Sequence, residues 1–210
     1  MREATAYGIL RGSPPQSVPM ILYLHGFRSA PGSIKASRMR DWLDARGLAE
    51  RFWCEQLPIS PAAAIDLVER QIAQCPTPPT LIGSSLGGYY ATWLAERHGL
   101  KAVLVNPSVV SHISLAPYVG PQTNLYTGET FDFTEAHIDA LRDLEVARIT
   151  HPERYWLLVE TADEVLDYRD AVARYAGARQ SILDGGHHGF SRWDDYLAPI
   201  LAFAGLEETS

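Results

Sequence analysis

The feature that most constrains the fold of this chain is the alternation of short apolar runs with longer amphipathic segments. The apolar runs predict strands at residues 20–24, 52–57, 80–83, 102–105, 155–160 and 180–183. Apolar residues at helical spacing predict helices at residues 34–46, 61–73, 86–98, 167–176 and 193–203. This pattern favours an α/β protein with a mostly parallel central sheet and helices on both faces.

Length and composition predict a single domain over residues 1–210. The chain is 46% hydrophobic, which is enough to form one core. Residues 107–153 are too long for a plain loop and helix-like only at 134–144, so we interpret them as a short lid insertion. Residues 1–19 contain three prolines and are interpreted as an N-terminal extension, either an edge strand around residues 6–10 or a loosely held tail.

Charge and hydropathy exclude several classes of partner. The formal net charge of -7 disfavours binding to nucleic acid. No apolar run approaches the roughly 20 residues needed to cross a bilayer, and residues 1–12 lack the pattern of a signal peptide. We therefore expect a cytoplasmic protein that binds neither nucleic acid nor a membrane; its oligomeric state is unknown at this stage. Cys54 and Cys75 are expected to be unbridged and not catalytic.

One serine lies in a sequence typical of a nucleophile elbow. Residues 83–88 read GSSLGG, directly after a predicted strand and at the start of a predicted helix. The central serine of such a turn has a strained backbone, and side chains two residues before and after it would collide. Ser85 has Gly83 and Gly87 at those two positions, so it is the predicted nucleophile. The alternative is a glycine-rich turn in which serine merely caps the helix.

A serine nucleophile needs a base, which is expected on a later loop. His187 and His188 follow the predicted strand at 180–183 on a glycine-rich loop, and by position alone either could reach Ser85. The alternative for paired histidines is a surface loop or an adventitious metal site.

The third member of a triad is expected after the preceding strand, where three carboxylates occur. Asp163 comes first after residues 155–160 and is the favoured acid. Glu164 fits a solvated side chain, and Asp167 fits a cap of the following helix. A run of carboxylates is also compatible with a polar loop without any catalytic role.

Acyl transfer also needs backbone N–H groups to bind the oxyanion. Leu86, directly after the nucleophile, would provide one of them. Phe27 would provide the other, because Gly26 lets the chain turn after the strand at 20–24. His25 is predicted to be structural.

The motifs together resemble those of the YqiA-like esterases, a group of small bacterial α/β hydrolases. The shared segments are residues 22–27 (LYLHGF), 34–37 (IKAS), 83–93 (GSSLGGYYATW), 105–107 (VNP), 126–128 (YTG) and 163–169 (DEVLDYR). The likeness covers roughly residues 20–206 and implies the α/β-hydrolase fold. It also implies hydrolysis of carboxylic esters, including acyl thioesters, without a metal or an organic cofactor.

The resemblance also distinguishes between the candidate site residues. It implies that His188 is the catalytic histidine, with His187 in place of an asparagine of the family, and that Asp163 is the acid. Ala162 stands where the family has a glycine before that acid. Residues 1–19 lie outside the resemblance, which says nothing of their role.

These observations lead to one principal hypothesis and two alternatives. The principal one is a serine esterase that cleaves short to medium acyl esters of small molecules through an acyl-enzyme. The alternatives are a serine peptidase or acyltransferase on the same fold, and a non-catalytic protein that binds a ligand. Apolar residues of the insertion would either pack on the core or line an acyl slot. They are Val109, Val110, Ile113, Leu115, Tyr118, Leu125, Tyr126, Phe131 and Phe133.

Overall fold

The predicted strands and helices are present in the computed structural model, which describes residues 19–206. The strands of that part are β1 (Ile21–Leu24), β2 (Phe52–Trp53), β3 (Thr80–Ser84), β4 (Lys101–Val105), β5 (Gly120–Thr123), β6 (Thr130–Phe133), β7 (Tyr155–Glu160) and β8 (Arg179–Leu183). The helices are α1 (Ile34–Asp44), α2 (Pro61–Gln74), α3 (Leu86–His98), α4 (Ser111–Ser114), α5 (Glu135–Asp143), α6 (Tyr168–Arg174) and α7 (Trp193–Ala204). The segment around residues 6–10, for which the sequence allows an edge strand or a loosely held tail, lies outside the described residues.

Within residues 19–206, six of the strands form one sheet in the order β2-β1-β3-β4-β7-β8. All neighbouring pairs are parallel, which confirms the predicted sheet. Leu24 pairs with Gly83, and Ser84 pairs with Val105, so these strands end at one common edge. In open parallel sheets the ligand crevice lies beyond the carboxyl ends of the strands.

Helices cover both faces of this sheet, as predicted. Successive strand residues point to opposite faces: Leu22 and Leu24 contribute to one apolar cluster, while Ile21 and Tyr23 contribute to another. The first cluster includes residues of α2, α3, α5 and α6, and the second includes residues of α1 and α7. No helix among the described residues combines the length and the apolar character that a membrane crossing requires.

The second strand is shorter than the sequence predicts. The apolar pattern extends over residues 52–57, but β2 ends at Trp53. Beyond β2 the backbone no longer pairs with the sheet. The N–H of Leu57, for example, donates to Nε2 of His25 at 3.0 Å. Cys54, in this segment, and Cys75 are free thiols, as expected. Burial raises the pKa of the Cys54 thiol to about 12.

The insertion at 107–153 contains more structure than the sequence predicts. Its predicted helix is α5, but β5 and β6 form an antiparallel hairpin that the pattern missed. The sequence of β5 is Gly-Pro-Gln-Thr, which contains no apolar run. Part of the segment belongs to the core, since Phe133 and Leu141 are buried and Tyr89 donates its hydroxyl to the Leu141 carbonyl at 2.8 Å. Movement of the insertion as a lid stays a prediction.

Candidate active site

Ser85 occupies a sharp turn between β3 and α3. Its backbone has φ 56° and ψ -120°, a region that non-glycine residues rarely occupy. A Cβ on Gly83 would lie 2.6 Å from Cα of Gly88, and a Cβ on Gly87 would clash with the carbonyl of Leu24. Close packing on both sides of the turn therefore explains the two glycines that flank Ser85.

Three side chains from three separate loops meet at the edge where the strands end. Nε2 of His188 lies 3.1 Å from Oγ of Ser85. Nδ1 of His188 lies 2.8 Å from Oδ2 of Asp163 and 3.0 Å from its Oδ1. These residues follow β3, β8 and β7 respectively, so the structure brings together the three residues singled out by the sequence. Their distances are those of a hydrogen-bonded nucleophile, base and orienting acid.

Asp163 is held in the ionised state that this arrangement needs. Its side chain is only 2% exposed, and Oδ1 accepts hydrogen bonds from the N–H groups of Val165 and Leu166 at 2.8 and 2.9 Å. Burial alone would raise the pKa of Asp163, but the hydrogen bonds from His188 and from these backbone groups outweigh burial and hold the pKa below its usual value. With Nδ1–H donating to this carboxylate, Nε2 of a neutral His188 can accept the hydroxyl proton of Ser85.

The other side chains considered from sequence have different partners. Nδ1 of His187 accepts a hydrogen bond from the N–H of Gly189 at 3.0 Å, within its own loop. Asp167 caps α6, as predicted, by accepting from the N–H of Arg169 at 3.0 Å. Glu164 is exposed, as predicted, but it also accepts a hydrogen bond from the backbone N–H of His188 at 2.9 Å. The sequence analysis did not predict this contact with the loop that carries His188.

Two residues that the sequence analysis did not assign hold the histidine loop in place. Asn106 follows β4 with φ 41°, and its Nδ2 donates to the carbonyls of His187 and His188 at 3.1 and 3.0 Å. Oδ1 of Asn106 accepts from the N–H of Glu160 at 3.0 Å. The Glu160 side chain, which is fully buried, accepts from the N–H of His187 at 2.9 Å. A carboxylate at the end of an otherwise apolar strand was the available sequence signal for Glu160.

Lys35 contacts the same loop from α1. Its Nζ donates to the carbonyl of Gly189 at 2.8 Å. Burial lowers the pKa of Lys35 to about 8, against the opposite influence of the Asp163 and Glu160 carboxylates. The loop carrying His188 is thus held by the side chains of Lys35, Asn106 and Glu160.

The residues proposed for the oxyanion border the same cavity as Ser85 and His188. A cavity of about 230 Å³ is lined by Phe27, Ser85, Leu86 and His188 among others. Leu86 is the first residue of α3, where backbone N–H groups have no partner within the helix. Gly26 lies directly against the nucleophile, because a Cβ there would be 3.2 Å from Cβ of Ser85. The role of the Phe27 and Leu86 N–H groups stays a prediction.

His25 is structural, as its position suggested. It is 4% exposed; Nε2 accepts from the N–H of Leu57, and Nδ1 contacts the carbonyl of Gly26 at 2.9 Å. Burial lowers the pKa of His25, in keeping with a neutral ring that donates through Nδ1 and accepts through Nε2. Both nitrogens are engaged in holding the loop after β1.

Comparison with known proteins places the chain among related sequences. Residues 20–205 match the model of a family described as "Uncharacterised protein family (UPF0227)". A UPF0227 protein of Shewanella loihica is 29% identical over 189 residues, which span 88% of this chain and 98% of that relative. The match thus covers the sheet, the insertion and all the candidate site residues.

Solved structures with the same fold are α/β hydrolases. The monoacylglycerol lipase of Paleococcus ferrophilus superimposes with a TM-score of 0.68 at 15% identity, over 91% of this chain and 97% of that chain. Alpha/beta hydrolase domain-containing protein 10 from mouse superimposes with a TM-score of 0.66 at 14% identity, over 91% and 90% of the two chains. At this level of identity the likeness establishes the fold.

Proposed function

The chain belongs to the UPF0227 family and has the α/β-hydrolase fold, and on this basis we propose that it is a serine hydrolase that cleaves carboxylic esters. The observation that carries the proposal is the continuous line of contacts from Ser85 through His188 to Asp163, with separations of 3.1 and 2.8 Å. A strained serine on an elbow would have no structural reason to face a histidine that is itself oriented by a buried carboxylate.

The reaction would proceed through an acyl-enzyme. Oγ of Ser85 attacks the ester carbonyl while Nε2 of His188 takes the hydroxyl proton, and Asp163 stabilises the imidazolium that results. Collapse of the tetrahedral intermediate breaks the bond to the alcohol, which leaves with the proton from His188. A water molecule then attacks the acyl-enzyme, with His188 again acting as base, and releases the acid and the free serine.

The oxyanion would bind at the start of α3. The N–H of Leu86 is among the unpaired donors of the first helical turn, and the positive end of the helix dipole favours negative charge there. The N–H of Phe27 would be the second donor, from the loop after β1. Two such donors stabilise the charge that develops in the transition state, and removing one typically costs about 10²–10³ in kcat.

The size of the cavity favours short to medium acyl groups. Its volume of about 230 Å³ lies below the roughly 300–1,000 Å³ of typical ligand pockets. Leu115, Tyr118 and Leu125 of the insertion line it together with Ser85 and His188. Other apolar residues of the insertion, such as Val109 and Phe133, are buried in the core. Packing on the core thus accounts for Val109 and Phe133, and the acyl slot is proposed for Leu115, Tyr118 and Leu125.

The decisive experiment compares Ser85→Ala with Ser84→Ala. Hydrolysis of p-nitrophenyl butyrate should fall on the order of 10⁴-fold or more in kcat for Ser85→Ala, because members of a triad act as one unit. Ser84→Ala, whose side chain is buried beside the elbow, should retain substantial activity. A fluorophosphonate should label the wild-type protein and Ser84→Ala but not Ser85→Ala, as read by intact mass.

Equal activity of the two variants, with both folded by circular dichroism, would remove Ser85 as nucleophile. Absence of hydrolysis and of labelling in the wild-type protein would instead favour the non-catalytic alternative.

A further inference from the structure

Arg28 occupies an unusual position beside the proposed oxyanion site. It follows Phe27 directly and has φ 56°, the left-handed conformation that non-glycine residues seldom adopt. The insertion holds it there: Nε of Arg28 donates to the carbonyl of Thr123 at 2.9 Å, and the Arg28 carbonyl accepts from the N–H of Leu125 at 2.8 Å. Strained residues that are held from several sides occur preferentially at functional sites.

The charge of Arg28 is not balanced by a carboxylate. Within residues 19–206 no Asp or Glu forms an ion pair with it, and its side chain donates only to the neutral carbonyl of Thr123. By contrast, Arg38 on α1 pairs with Asp194. Arg28 is only partly exposed and lines the cavity of about 230 Å³ that contains Ser85 and His188. An anion bound there would accept charge-assisted hydrogen bonds from the guanidinium N–H groups that the Thr123 carbonyl does not use.

The same cavity contains a group of hydroxyls with spare hydrogen-bonding capacity. Oγ of Ser111 donates to Oγ of Ser108 at 2.8 Å, and Oγ of Ser108 lies 3.2 Å from Oγ of Ser114. Three hydroxyls carry three hydrogens, and these two hydrogen bonds use only two of them. Among the described residues the group makes no other side-chain hydrogen bond, so one O–H stays available to an acceptor. All three serines line the cavity.

We propose that the acyl group accepted by this cavity carries a carboxylate, which Arg28 binds. The substrate would then be a monoester of a short dicarboxylic acid, with its ester carbonyl at Ser85 and its free carboxylate at the guanidinium. This assignment rests on the proposed esterase function. We place the carboxylate on the acyl part of the ester because Arg28 adjoins Phe27, on the loop proposed to bind the oxyanion. The alcohol part must instead lie within reach of Nε2 of His188, which protonates it as it leaves.

The test compares two esters that differ in charge but hardly in shape. Monoethyl glutarate and ethyl 5-methylhexanoate share their chain and end in a carboxylate and an isopropyl group respectively. The wild-type protein should favour the glutarate ester in kcat/KM by about tenfold or more, as expected for hydrogen bonds to a charged group. In Arg28→Met kcat/KM for the glutarate ester should fall more than kcat/KM for the neutral ester, so that the preference disappears.

Two controls separate binding from structure. Arg38→Met removes an arginine that is already paired, and it should keep the preference. Arg28→Lys keeps the charge but loses the planar fork, and it should show an intermediate preference. The preference of the wild-type protein should also shrink as salt is added.

Three outcomes would overturn the assignment. The wild-type protein could turn over the neutral ester as well as the charged one. Arg28→Met could lower both activities equally, which would mean that Arg28 only fastens the hairpin of the insertion. Pentanoyloxyacetate, which carries its carboxylate on the alcohol side, could be preferred over monoethyl glutarate. None of these outcomes contradicts the proposed function, which depends on hydrolysis of p-nitrophenyl butyrate and its loss in Ser85→Ala.

Discussion

The Glu160 carboxylate accepts two hydrogen bonds from Ser191, one from its hydroxyl at 2.6 Å and one from its backbone N–H at 2.9 Å. The same carboxylate accepts from the N–H of His187 at 2.9 Å. It therefore holds the loop on both sides of His188, at His187 and at Ser191. Because Glu160 is fully buried, a hydrogen bond that is lost on its substitution is not replaced by one to water.

Glu160→Gln is expected to lower the free energy of unfolding by about 1–3 kcal/mol at neutral pH, since an amide cannot accept all three hydrogen bonds. The kcat should fall as well, because the loop positions His188. Ser191→Ala loses one of these hydrogen bonds and should have a smaller effect on both. Urea unfolding and ester hydrolysis measure the two quantities, with the exposed Glu129→Gln as control.

The pH dependence of this stability follows from the Glu160 pKa. Burial would raise the pKa, but the hydrogen bonds from Ser191 and His187 and the nearby Arg192 hold it below its usual value. A depressed folded-state pKa gives stability that is present above the unfolded-state value of about 4.3 and is lost as pH falls through the folded-state value. The difference between wild type and Glu160→Gln should thus be largest near neutral pH and shrink below about pH 4. A constant difference down to acid pH would show that the charge is not its source.

The paired histidines provide a second, matched comparison. His188→Ala should lower kcat about as much as Ser85→Ala, on the order of 10⁴-fold, because the base and nucleophile act together. His187→Ala should do much less: its ring bonds only within the loop, and its backbone contact with Glu160 survives the substitution. Steady-state hydrolysis of p-nitrophenyl butyrate by both variants tests this ranking. The reverse ranking would reassign the base to His187.

A further prediction concerns the length of neutral acyl groups. Each methylene buried contributes about 0.8 kcal/mol, so kcat/KM should rise with chain length until the cavity is full and then fall. Leu115→Ala enlarges the cavity and should move the optimum to a longer chain. Ile113→Ala is the control, since Ile113 is exposed on the same insertion and does not line the cavity. Activity that keeps rising through long acyl chains would refute the short slot.

Sequence reasoning succeeded where the physical signal is local. Strands buried on both faces are continuous apolar runs, and β3, β4 and β7 were recognised from that property alone. The elbow at Ser85 was visible because close packing around one turn demands two glycines at fixed positions. The helical spacing of apolar residues also predicts α5 within the insertion.

Features that depend on distant partners were missed. Asn106 bonds to carbonyls more than 80 residues away, with separations of 81 and 82 positions, and nothing beside it in the sequence indicates that role. The hairpin of β5 and β6 has no apolar pattern on its first strand. Beyond the end of β2, the backbone N–H of Leu57 donates to a histidine of another loop and not to the sheet. Each case is decided by the tertiary environment, which a one-dimensional pattern does not contain.

The distance along the chain between Ser85 and His188, 103 positions, has a consequence for how the protein matures. Parallel strands cannot be joined by tight hairpins, so every pairing in this sheet must first close a long loop, and such topologies fold slowly. The base is added only after β8 has docked at the border of the sheet. During refolding, the helical circular dichroism signal would therefore return before the ability to hydrolyse an ester, and hydrolysis would report the docking of β8.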